Sequence, residues 1–478
     1  MSKNLIIGQS GGPTAVINSS LAGAIDYALG CDEIGSVYGM INGIEGFLDE
    51  NIMNLSNMFE HMPYELNRLK LTPAMFLGSC RYKLSGNEEE LAKVVSIMQK
   101  YDIGYFIYIG GNDSMDTVKK LSDYTTSHAI DIKIVGVPKT IDNDLNGIDH
   151  SPGFGSAAKY IASCVREVAY DTSIYSIKSV HIIEAMGRNA GWLTAASCLA
   201  RQEDMVAPHL IYLPEVDFSV EQFVSDVKAK LEEYNSIIVV VSEGINDKNG
   251  NYISAQHSKV DEFGHAQLSG TGAYLKSVIE KEIGCKVRAL EPSVIQRSAG
   301  HISSLTDVEE AFNLGTIAVR AAVSGKSGVF STLRRISDKP YSVEYSTENV
   351  AVVANTEKLV PRSWINPEGN DVTQDMVDYL RPLIEGANTG QSTAVSTPAT
   401  AMDRPLMAPS TSPICSALLV PTAWAEVPIP TPLAMGSVMW NTVHTVSASS
   451  APTMPVTITT APVRAAMPPS SAATSMLM

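Results

Sequence analysis

The sequence has few cysteines, an excess of acidic over basic residues, and no long hydrophobic run. Its six cysteines are scattered, with no Cys-x-x-Cys pair, so neither a disulfide framework nor a cysteine metal site is indicated. The 35 Lys and Arg against 51 Asp and Glu give a net charge of −16, which argues against nucleic acid or membrane partners. No apolar run reaches the ~18 residues that a spanning helix needs. Since the N-terminus leads straight into a strand pattern without a signal peptide, we expect a soluble, cytoplasmic protein.

Charge is almost absent from the last part of the chain. Residues 387–478 contain no lysine, and their only charged residues are Asp403, Arg404, Glu426 and Arg464. About half of all the prolines lie in this part. The composition predicts an irregular, disordered C-terminal tail. Two origins stay open for it: a frameshift or read-through product of the gene, or a genuine interaction tail.

Residues before 387 show the alternation typical of α/β proteins, and the length of 478 residues favours two domains. Short apolar runs that resemble buried strands are each followed by a loop rich in Gly, Ser, Asn or Asp, and usually then by a helical pattern. These runs are residues 5–7, 106–109, 134–137, 181–183 and 237–241. The pattern predicts a mostly parallel sheet, in which ligands bind at the carboxyl ends of the strands.

Two glycine-rich loops follow such strands. Residues 9–14, QSGGPT, carry paired glycines that let backbone N–H groups approach an anion, ahead of a helical pattern. Residues 110–114, GGNDS, add a carboxylate and a hydroxyl that could hold a phosphate together with its Mg²⁺. The alternatives are a tight strand–helix turn for the first loop and a capping turn, with Asp113 or Ser114 as N-cap, for the second.

A dense polar cluster follows a third strand, in residues 138–144, PKTIDND. One carboxylate could take a proton from a sugar hydroxyl while the other organises a metal, and the lysine could neutralise phosphate charge. A solvated turn would have the same composition. The glycine-rich loops at other strand ends favour a functional site.

Cations stand in similar positions further along the chain. Residues 184–192, EAMGRNAGW, place Arg188 among glycines after a strand, where it could offset phosphate charge. The SEG sequence at 242–244 closes the strongest apolar strand, and Arg288 and Arg297 follow. Taken singly, Met186 would be a core residue and such arginines surface residues.

The ordered series of motifs resembles the phosphofructokinase A family. The matching motifs are GGP, LGSCR (77–81), GGNDS, PKTIDND, GFGSA (153–157), EAMGRNAGW, SEG and QR, with further similarity at 361–365 and 381–384. The resemblance implies an α/β fold of two doubly wound, mostly parallel-sheet domains with the active site in the cleft between them.

We divide the chain accordingly. Residues 1–140 are expected to form an N-terminal domain that binds the phosphoryl donor, completed by part of 255–320. Residues 141–255 are expected to form the sugar-phosphate domain. Residues 320–386 are expected to form a helical and extended segment that packs on this core.

The resemblance also implies a role for each residue that matches a family motif. Asp142 is expected to be the general base that deprotonates the 1-hydroxyl of fructose 6-phosphate, and Arg188 to stabilise the transferring phosphoryl group, with Lys139 and Thr140 beside them. The expected donor-site residues are Gly11, Arg81, Gly111, Asn112, Asp113, Ser114 and Lys139. The expected sugar-phosphate residues are Thr140, Ile141, Asp142, Met186, Gly187, Arg188, Glu243, Arg288 and Arg297. The expected Mg²⁺ ligands are Asn112, Asp113 and Asp144. Because family members share some cations across a subunit interface, we expect a homodimer or homotetramer.

Two positions bear on the phosphoryl donor. ATP-using relatives typically have glycine at the positions of Asp113 and Lys139. A carboxylate at 113 would crowd and repel a nucleotide, whereas a lysine at 139 suits a compact donor, and both residues resemble the pyrophosphate-dependent branch. The expected reaction is therefore reversible, glycolytic phosphorylation of fructose 6-phosphate by pyrophosphate. The alternatives are the same reaction with ATP, and an inactive regulatory protein that retains sugar-phosphate binding.

Three features depart from the family pattern. Asn112 stands where many relatives have an aspartate that contacts Mg²⁺, although an amide oxygen can still accept a water or bind weakly. Val294 stands where many ATP-using relatives have a histidine that touches the sugar phosphate. The tail after Gly386 resembles nothing in the family.

Overall fold

The computed structural model describes residues 2–254, 270–353 and 356–386. The tail predicted at 387–478 lies outside the described residues, as does the first part of 255–320. The strands are β1 Lys3–Gln9, β2 Ile34–Met40, β3 Ile52–Asn54, β4 Ile103–Gly110, β5 Lys133–Pro138, β6 Ser179–Ala185, β7 Leu210–Tyr212, β8 Ser236–Ser242, β9 Lys286–Leu290, β10 Val329–Asp338 and β11 Tyr341–Asn349.

Helices separate most of these strands. They are α1 Ile17–Leu29, α2 Gly43–Leu48, α3 Ser56–Phe59, α4 Pro63–Leu71, α5 Glu88–Lys100, α6 Asn112–Ser127, α7 Phe154–Ser173, α8 Trp192–Ala195, α9 Val220–Glu233, α10 Thr271–Glu282, α11 Leu305–Val323 and α12 Gln374–Leu380. Among the helices described, none is both long and apolar enough to cross a membrane.

The first sheet has seven strands in the order β11-β10-β5-β4-β1-β2-β3. Its central strands are parallel, while β3 and β11 pair antiparallel at the two edges. Its helices bury a continuous apolar core that includes Leu5, Phe106 and Val135. The sheet therefore carries its parallel strand ends, and the loops after them, on one side.

The second sheet has four parallel strands in the order β7-β8-β6-β9. Alternate residues of β6 enter different cores: Val180 and Ile182 pack with the α9 and α10 side chains, whereas Ile183 and Ala185 pack with α7. A sheet with helices on both faces buries both sides of each central strand, which is why these strands are continuously apolar. The five strands predicted from sequence are confirmed as β1, β4, β5, β6 and β8, and the α/β class is confirmed with them.

Candidate active site

A cleft of about 680 Å³ lies where loops from both sheets meet. Its walls include the loops after β1, β4, β5, β6 and β8, all at the carboxyl ends of parallel strands. The predicted site residues that line it are Gly11, Arg81, Gly111, Asn112, Asp113, Ser114, Lys139, Thr140, Asp142, Asp144, Met186, Arg188, Glu243 and Arg297. The volume is typical of a small-molecule site.

The loops after β1, β4 and β5 are joined directly to one another. The hydroxyl of Ser114 donates to Oγ of Ser10 at 3.0 Å, and the backbone N–H of Lys139 donates to the carbonyl of Gly110 at 2.9 Å. Gly11 has a φ of 80°, and a Cβ there would lie 3.1 Å from Nζ of Lys139. Glycine at this position therefore permits both the turn and the close approach of the amine to the loop.

Lys139 is a buried cation beneath this loop, with 4% of its surface exposed. Burial lowers its pKa to about 8; Arg297 also lowers it, while Asp142 and Asp144 act in the opposite direction. Because burial has removed the water around this amine, the amine interacts strongly with an anion that enters the cleft.

The mouth of the cleft carries an ion pair. Helix α6 begins at Asn112 after the N-cap Gly111, so its N-terminus adds positive potential beside the loop. Oδ1 of Asp113, in the first turn, lies 3.1 Å from Nζ of Lys83, and about half of each side chain is exposed. The hydrogen bond to Asp113 raises the pKa of Lys83. The carboxylate of Asp113 therefore lies at the entrance of the cleft.

Two carboxylates lie deeper in the cleft. The backbone N–H of Asp142 donates to Oγ1 of Thr140 at 3.1 Å, which fixes the loop around the carboxylate. Burial raises the pKa of Asp142, against the opposing charges of Arg297, Arg188 and Lys139. Burial, with the charge of Asp142, also raises the pKa of Asp144 to about 7. Carboxylates in such an environment hold a proton more strongly than they would in water.

Oxygen atoms of Asn112 and Asp144 form a candidate cation position. Nδ2 of Asn112 donates to Oδ2 of Asp144 at 3.0 Å. The Oδ1 atoms of both residues are buried and accept no hydrogen bond from any residue that the structure describes. Mg²⁺ prefers such oxygen ligands, so this pair fits the ion. Within the described ranges no three His, Cys, Asp or Glu side chains group closely enough to hold a metal unaided.

The loops after β6 and β8 form the opposite wall. The backbone N–H of Gly187 donates to Oε1 of Glu243 at 3.3 Å, and Oγ of Ser242 donates to the carbonyl of Gly187 at 2.6 Å. A Cβ on Gly244 would lie 1.5 Å from the carbonyl oxygen of Arg188, so only glycine allows the two loops to touch here. Burial, followed by the charge of Asp142, raises the pKa of Glu243 to about 7.

A buried glutamine attaches Arg297 to the same wall. Gln296 is 1% exposed, and its Oε1 accepts a hydrogen bond from the backbone N–H of Met186 at 3.1 Å. Burial lowers the pKa of Arg297. The bond brings the QR motif against the MGR motif, although 110 residues separate them in sequence.

Three predicted site residues do not line the cleft. Ile141 is 5% exposed and packs in the core against α7. Gly187 lies behind the lining, where it bonds Glu243 through its backbone. Arg288 is on the exposed edge strand β9, where it pairs with Asp171 at 3.3 Å. Its role in binding the sugar phosphate stays a prediction.

Several lining residues were missed by sequence reasoning. They are Tyr82, Lys83, Asp116, Thr117, Thr356 and Glu357. Lys83 could have been found, since it follows the LGSCR motif by two positions. Thr356 and Glu357 belong to none of the motifs recognised in the sequence. They line the cleft although they are far in sequence from the other lining residues.

Comparisons with known proteins agree with this geometry. The family model described as Phosphofructokinase matches residues 4–322. A pyrophosphate–fructose 6-phosphate 1-phosphotransferase of Methylococcus capsulatus is 40% identical over 80% of this chain and 92% of its own length. The enzyme of the same name from Xanthomonas campestris is 41% identical over the same shares.

A solved structure is similar over almost its full length. The crystal structure of pyrophosphate-dependent phosphofructokinase from Nitrosospira multiformis superposes with a TM-score of 0.74 at 36% identity, covering 84% of this chain and 97% of that one. The family match and these relatives together show that the chain belongs to the phosphofructokinase family.

Proposed function

We propose that this protein catalyses reversible, Mg²⁺-dependent phosphoryl transfer from pyrophosphate to the 1-hydroxyl of fructose 6-phosphate. The products are fructose 1,6-bisphosphate and phosphate. One observation carries the proposal: a single cleft holds the carboxylate of Asp142, the cations Lys139 and Arg188, and Asp113 at its mouth. The names of the similar proteins support the same reaction.

Asp142 is the proposed general base. As O1 of the sugar forms a bond to the transferred phosphorus, the bridging P–O bond of pyrophosphate breaks and phosphate leaves. The hydroxyl proton passes to the carboxylate of Asp142, whose pKa burial raises, so that it accepts a proton more readily than an aspartate in water. The hydrogen bond from the Asp142 N–H to Thr140 supports this geometry.

The cations of the cleft offset the charge of the transferring group. Lys139 lies under the glycine loop of the donor side, and Arg188 is on the sugar side. The guanidinium of Arg297 reaches the donor side, since a Cβ on Gly12 would lie 3.6 Å from it. Fixed charges in a water-poor cleft stabilise developing charge more than the same charges in water. Phosphoryl transfer needs mainly such positioning and electrostatics from the protein.

Asp113 is the proposed determinant of donor choice. Its carboxylate stands at the start of α6, beside the glycine loop, and Lys83 holds it there. A nucleotide would have to place its α-phosphate and ribose past this negative charge. Pyrophosphate ends before it, so the carboxylate repels the longer donor without obstructing the shorter one.

The Mg²⁺ that we propose would be held by Oδ1 of Asn112 and Oδ1 of Asp144, the two buried oxygens without a hydrogen-bond partner among the described residues. When bound, such an ion neutralises phosphate charge. Asp113, also expected as a ligand from the sequence, pairs with Lys83, and its role as a ligand stays a prediction.

We further propose a cytoplasmic homodimer or homotetramer. Exposed apolar side chains occur after the end of α7 and again at residues 293–296: Ile174, Ile177 and Ile295 are each more than half exposed. Arg288 pairs with Asp171 near the end of α7, and we propose that a second copy which covers these residues brings the arginine to its own cleft. The described cysteines are all free thiols, in accord with a reducing compartment.

A coupled assay for fructose 1,6-bisphosphate tests the proposal. Fructose 6-phosphate and Mg²⁺ would be supplied with either pyrophosphate or ATP. We expect turnover with pyrophosphate and little with ATP. Preference for ATP would refute the role of Asp113, and inactivity with both donors, despite measurable binding of fructose 6-phosphate, would favour the regulatory alternative.

A further inference from the structure

Residues 356–360, which we name the strap, cross the cleft between the loop that holds Asp142 and the loop that holds Arg188. Thr356 and Glu357 line the cleft. The strap belongs to no helix or strand, and it lies beyond the part of the chain that the family model matches. Its hydrogen bonds nevertheless reach both walls of the site.

On the base side the bonds all come from Lys358. Its backbone N–H donates to the carbonyl of Asp144 at 2.7 Å. Its amine donates to the carbonyl of Asp149 at 2.7 Å, and to the carbonyl of Ile148 and Oδ1 of Asn143 at 3.3 Å. One side chain thus holds both ends of the loop that follows the general base.

On the Arg188 side the strap makes separate bonds. The carboxylate of Glu357 accepts from Nδ2 of Asn189 at 3.0 and 3.1 Å. The carbonyl of Lys358 accepts from Nε1 of Trp192 at 2.7 Å, and the amine of Lys358 lies 5.2 Å from the centre of the indole ring. Asn189 directly follows Arg188, and Trp192, the first residue of α8, comes four positions after it.

The carboxylate of Glu215 connects the strap with the loop that holds Arg188. Oε1 of Glu215 accepts a hydrogen bond from the backbone N–H of Val360 at 2.9 Å and from that of Gly191 at 2.8 Å. The strap and the Arg188 loop are therefore bound to one oxygen atom. A displacement of the strap would move both walls of the cleft.

We propose that Lys358 is a positioning residue, which sets the separation between Asp142 and Arg188 through the strap. The inference rests on the proposed phosphoryl transfer. Base and cation come from loops of different sheets, so their separation needs a common support. Since misplacement by about 1 Å can cost about 100-fold in rate, such a support acts on turnover more than on substrate affinity.

The test compares Lys358→Met with wild type and with Lys159→Met. Methionine keeps the length of the side chain but donates no hydrogen bond. Lys159 is a matched control, since its amine also donates to two backbone carbonyls, those of Ser303 and Gly386, and it does not line the cleft. We expect kcat to fall about 100-fold in Lys358→Met, with both KM values within about threefold, and to stay near wild type in Lys159→Met.

Two kinetic results would overturn the proposal: unchanged kcat in Lys358→Met, or a raised KM with unchanged kcat. If Lys358→Met does not fold, Trp192→Phe decides, because it removes the indole N–H that donates to the strap while keeping an aromatic ring at this buried position. A loss of about tenfold in its kcat supports the proposal, and wild-type turnover refutes it.

Wild-type turnover in the same assay separates this inference from the proposed function. If wild type is inactive with pyrophosphate, the proposed function fails, and amide hydrogen exchange then tests the strap without any reaction. Faster exchange of residues 140–149 in Lys358→Met than in Lys159→Met supports the strap, and equal exchange overturns it.

Discussion

At the scale of single residues, Asp142, the proposed general base, differs from the neighbouring carboxylate in its surroundings rather than in its own chemistry. It is one of two carboxylates in a short loop, and burial raises the pKa of both. Only Asp142 has Arg297, Arg188 and Lys139 as its main charged neighbours. It is therefore the carboxylate that lies among the cations of the cleft, whereas Asp144 accepts a hydrogen bond from Asn112.

We predict that Asp142→Asn lowers kcat by about 10²–10⁴-fold or more and leaves the fold intact, because the amide has the same shape but cannot accept the proton. Steady-state kinetics with pyrophosphate and a thermal melt would measure both effects. Asp123→Asn, on the exposed side of α6, is the control. Near-native turnover of Asp142→Asn would overturn the base assignment.

Donor choice is a second property of single residues. Replacing Asp113 by glycine removes the carboxylate from the mouth, so we predict that the ratio of kcat/KM for ATP to that for pyrophosphate rises at least about tenfold. Adding Lys139→Gly to Asp113→Gly should also lower kcat/KM for pyrophosphate, since the double variant lacks the buried amine.

Asp123→Gly places the same flexible residue in α6 outside the cleft and controls for helix destabilisation, which is about 1 kcal/mol for glycine. Equal donor ratios in wild type and Asp113→Gly would show that the carboxylate does not select the donor.

At the scale of elements, the sequence predicted those strands and loops that a local residue pattern encodes. Continuous apolar runs followed by Gly, Asn and Asp marked β1, β4, β5, β6 and β8 and the loops after them. The strap was not predicted, because its proposed role depends on contacts with residues more than 140 positions away in sequence. The Lys83–Asp113 pair was missed for the same reason: spacing along the chain does not report which side chains meet in space.

A charged network couples the β10–β11 hairpin to the loop beyond Asp142. Nδ1 of His150 lies 2.8 Å from Asp149 and Nε2 lies 2.6 Å from Glu310, and Tyr341 of β11 donates to Glu310 at 2.6 Å. Burial opposes the charge of His150, but Glu310 and Asp149 outweigh it and raise its pKa to about 9. The histidine is therefore protonated in the folded protein at neutral pH.

A raised histidine pKa stabilises the fold fully below the unfolded pKa of about 6.5, and this contribution is lost as the pH rises through about 9. We predict that the stability advantage of wild type over His150→Gln shrinks by on the order of 3 kcal/mol between pH 6 and 10, since each pKa unit corresponds to about 1.4 kcal/mol. Urea unfolding at several pH values would measure it. His128→Gln, at the exposed end of α6, is the control, and a pH-independent difference for His150→Gln would contradict the assignment.

At the scale of the whole molecule, the sheets and the cleft could be predicted from the sequence. The exposed surface around Arg288, in contrast, has no explanation within a single chain. Arg288 was expected at the sugar phosphate, and it stands on an exposed edge strand among exposed apolar residues. In the oligomer that we propose, a second copy covers this surface and receives the arginine at its substrate site.

We predict that Ile295→Asp dissociates the assembly and raises the KM for fructose 6-phosphate at least about tenfold, because a buried charge at an interface is costly and the partner's cation is lost. Sedimentation and kinetics would be measured together. Ile336→Asp, at another exposed isoleucine, is the control. A fully active wild-type monomer would refute the shared site.

The ion pair at the mouth of the cleft has a consequence for inhibitor chemistry. Compounds based on adenosine, the usual starting point against kinases, would meet the carboxylate of Asp113 where they need room for a nucleoside. A bisphosphonate has about the size and charge of pyrophosphate, with carbon in place of the bridging oxygen, so it would end before that carboxylate if pyrophosphate does. Selectivity over ATP-using enzymes would then depend on Asp113 and on Lys83, which pairs with it.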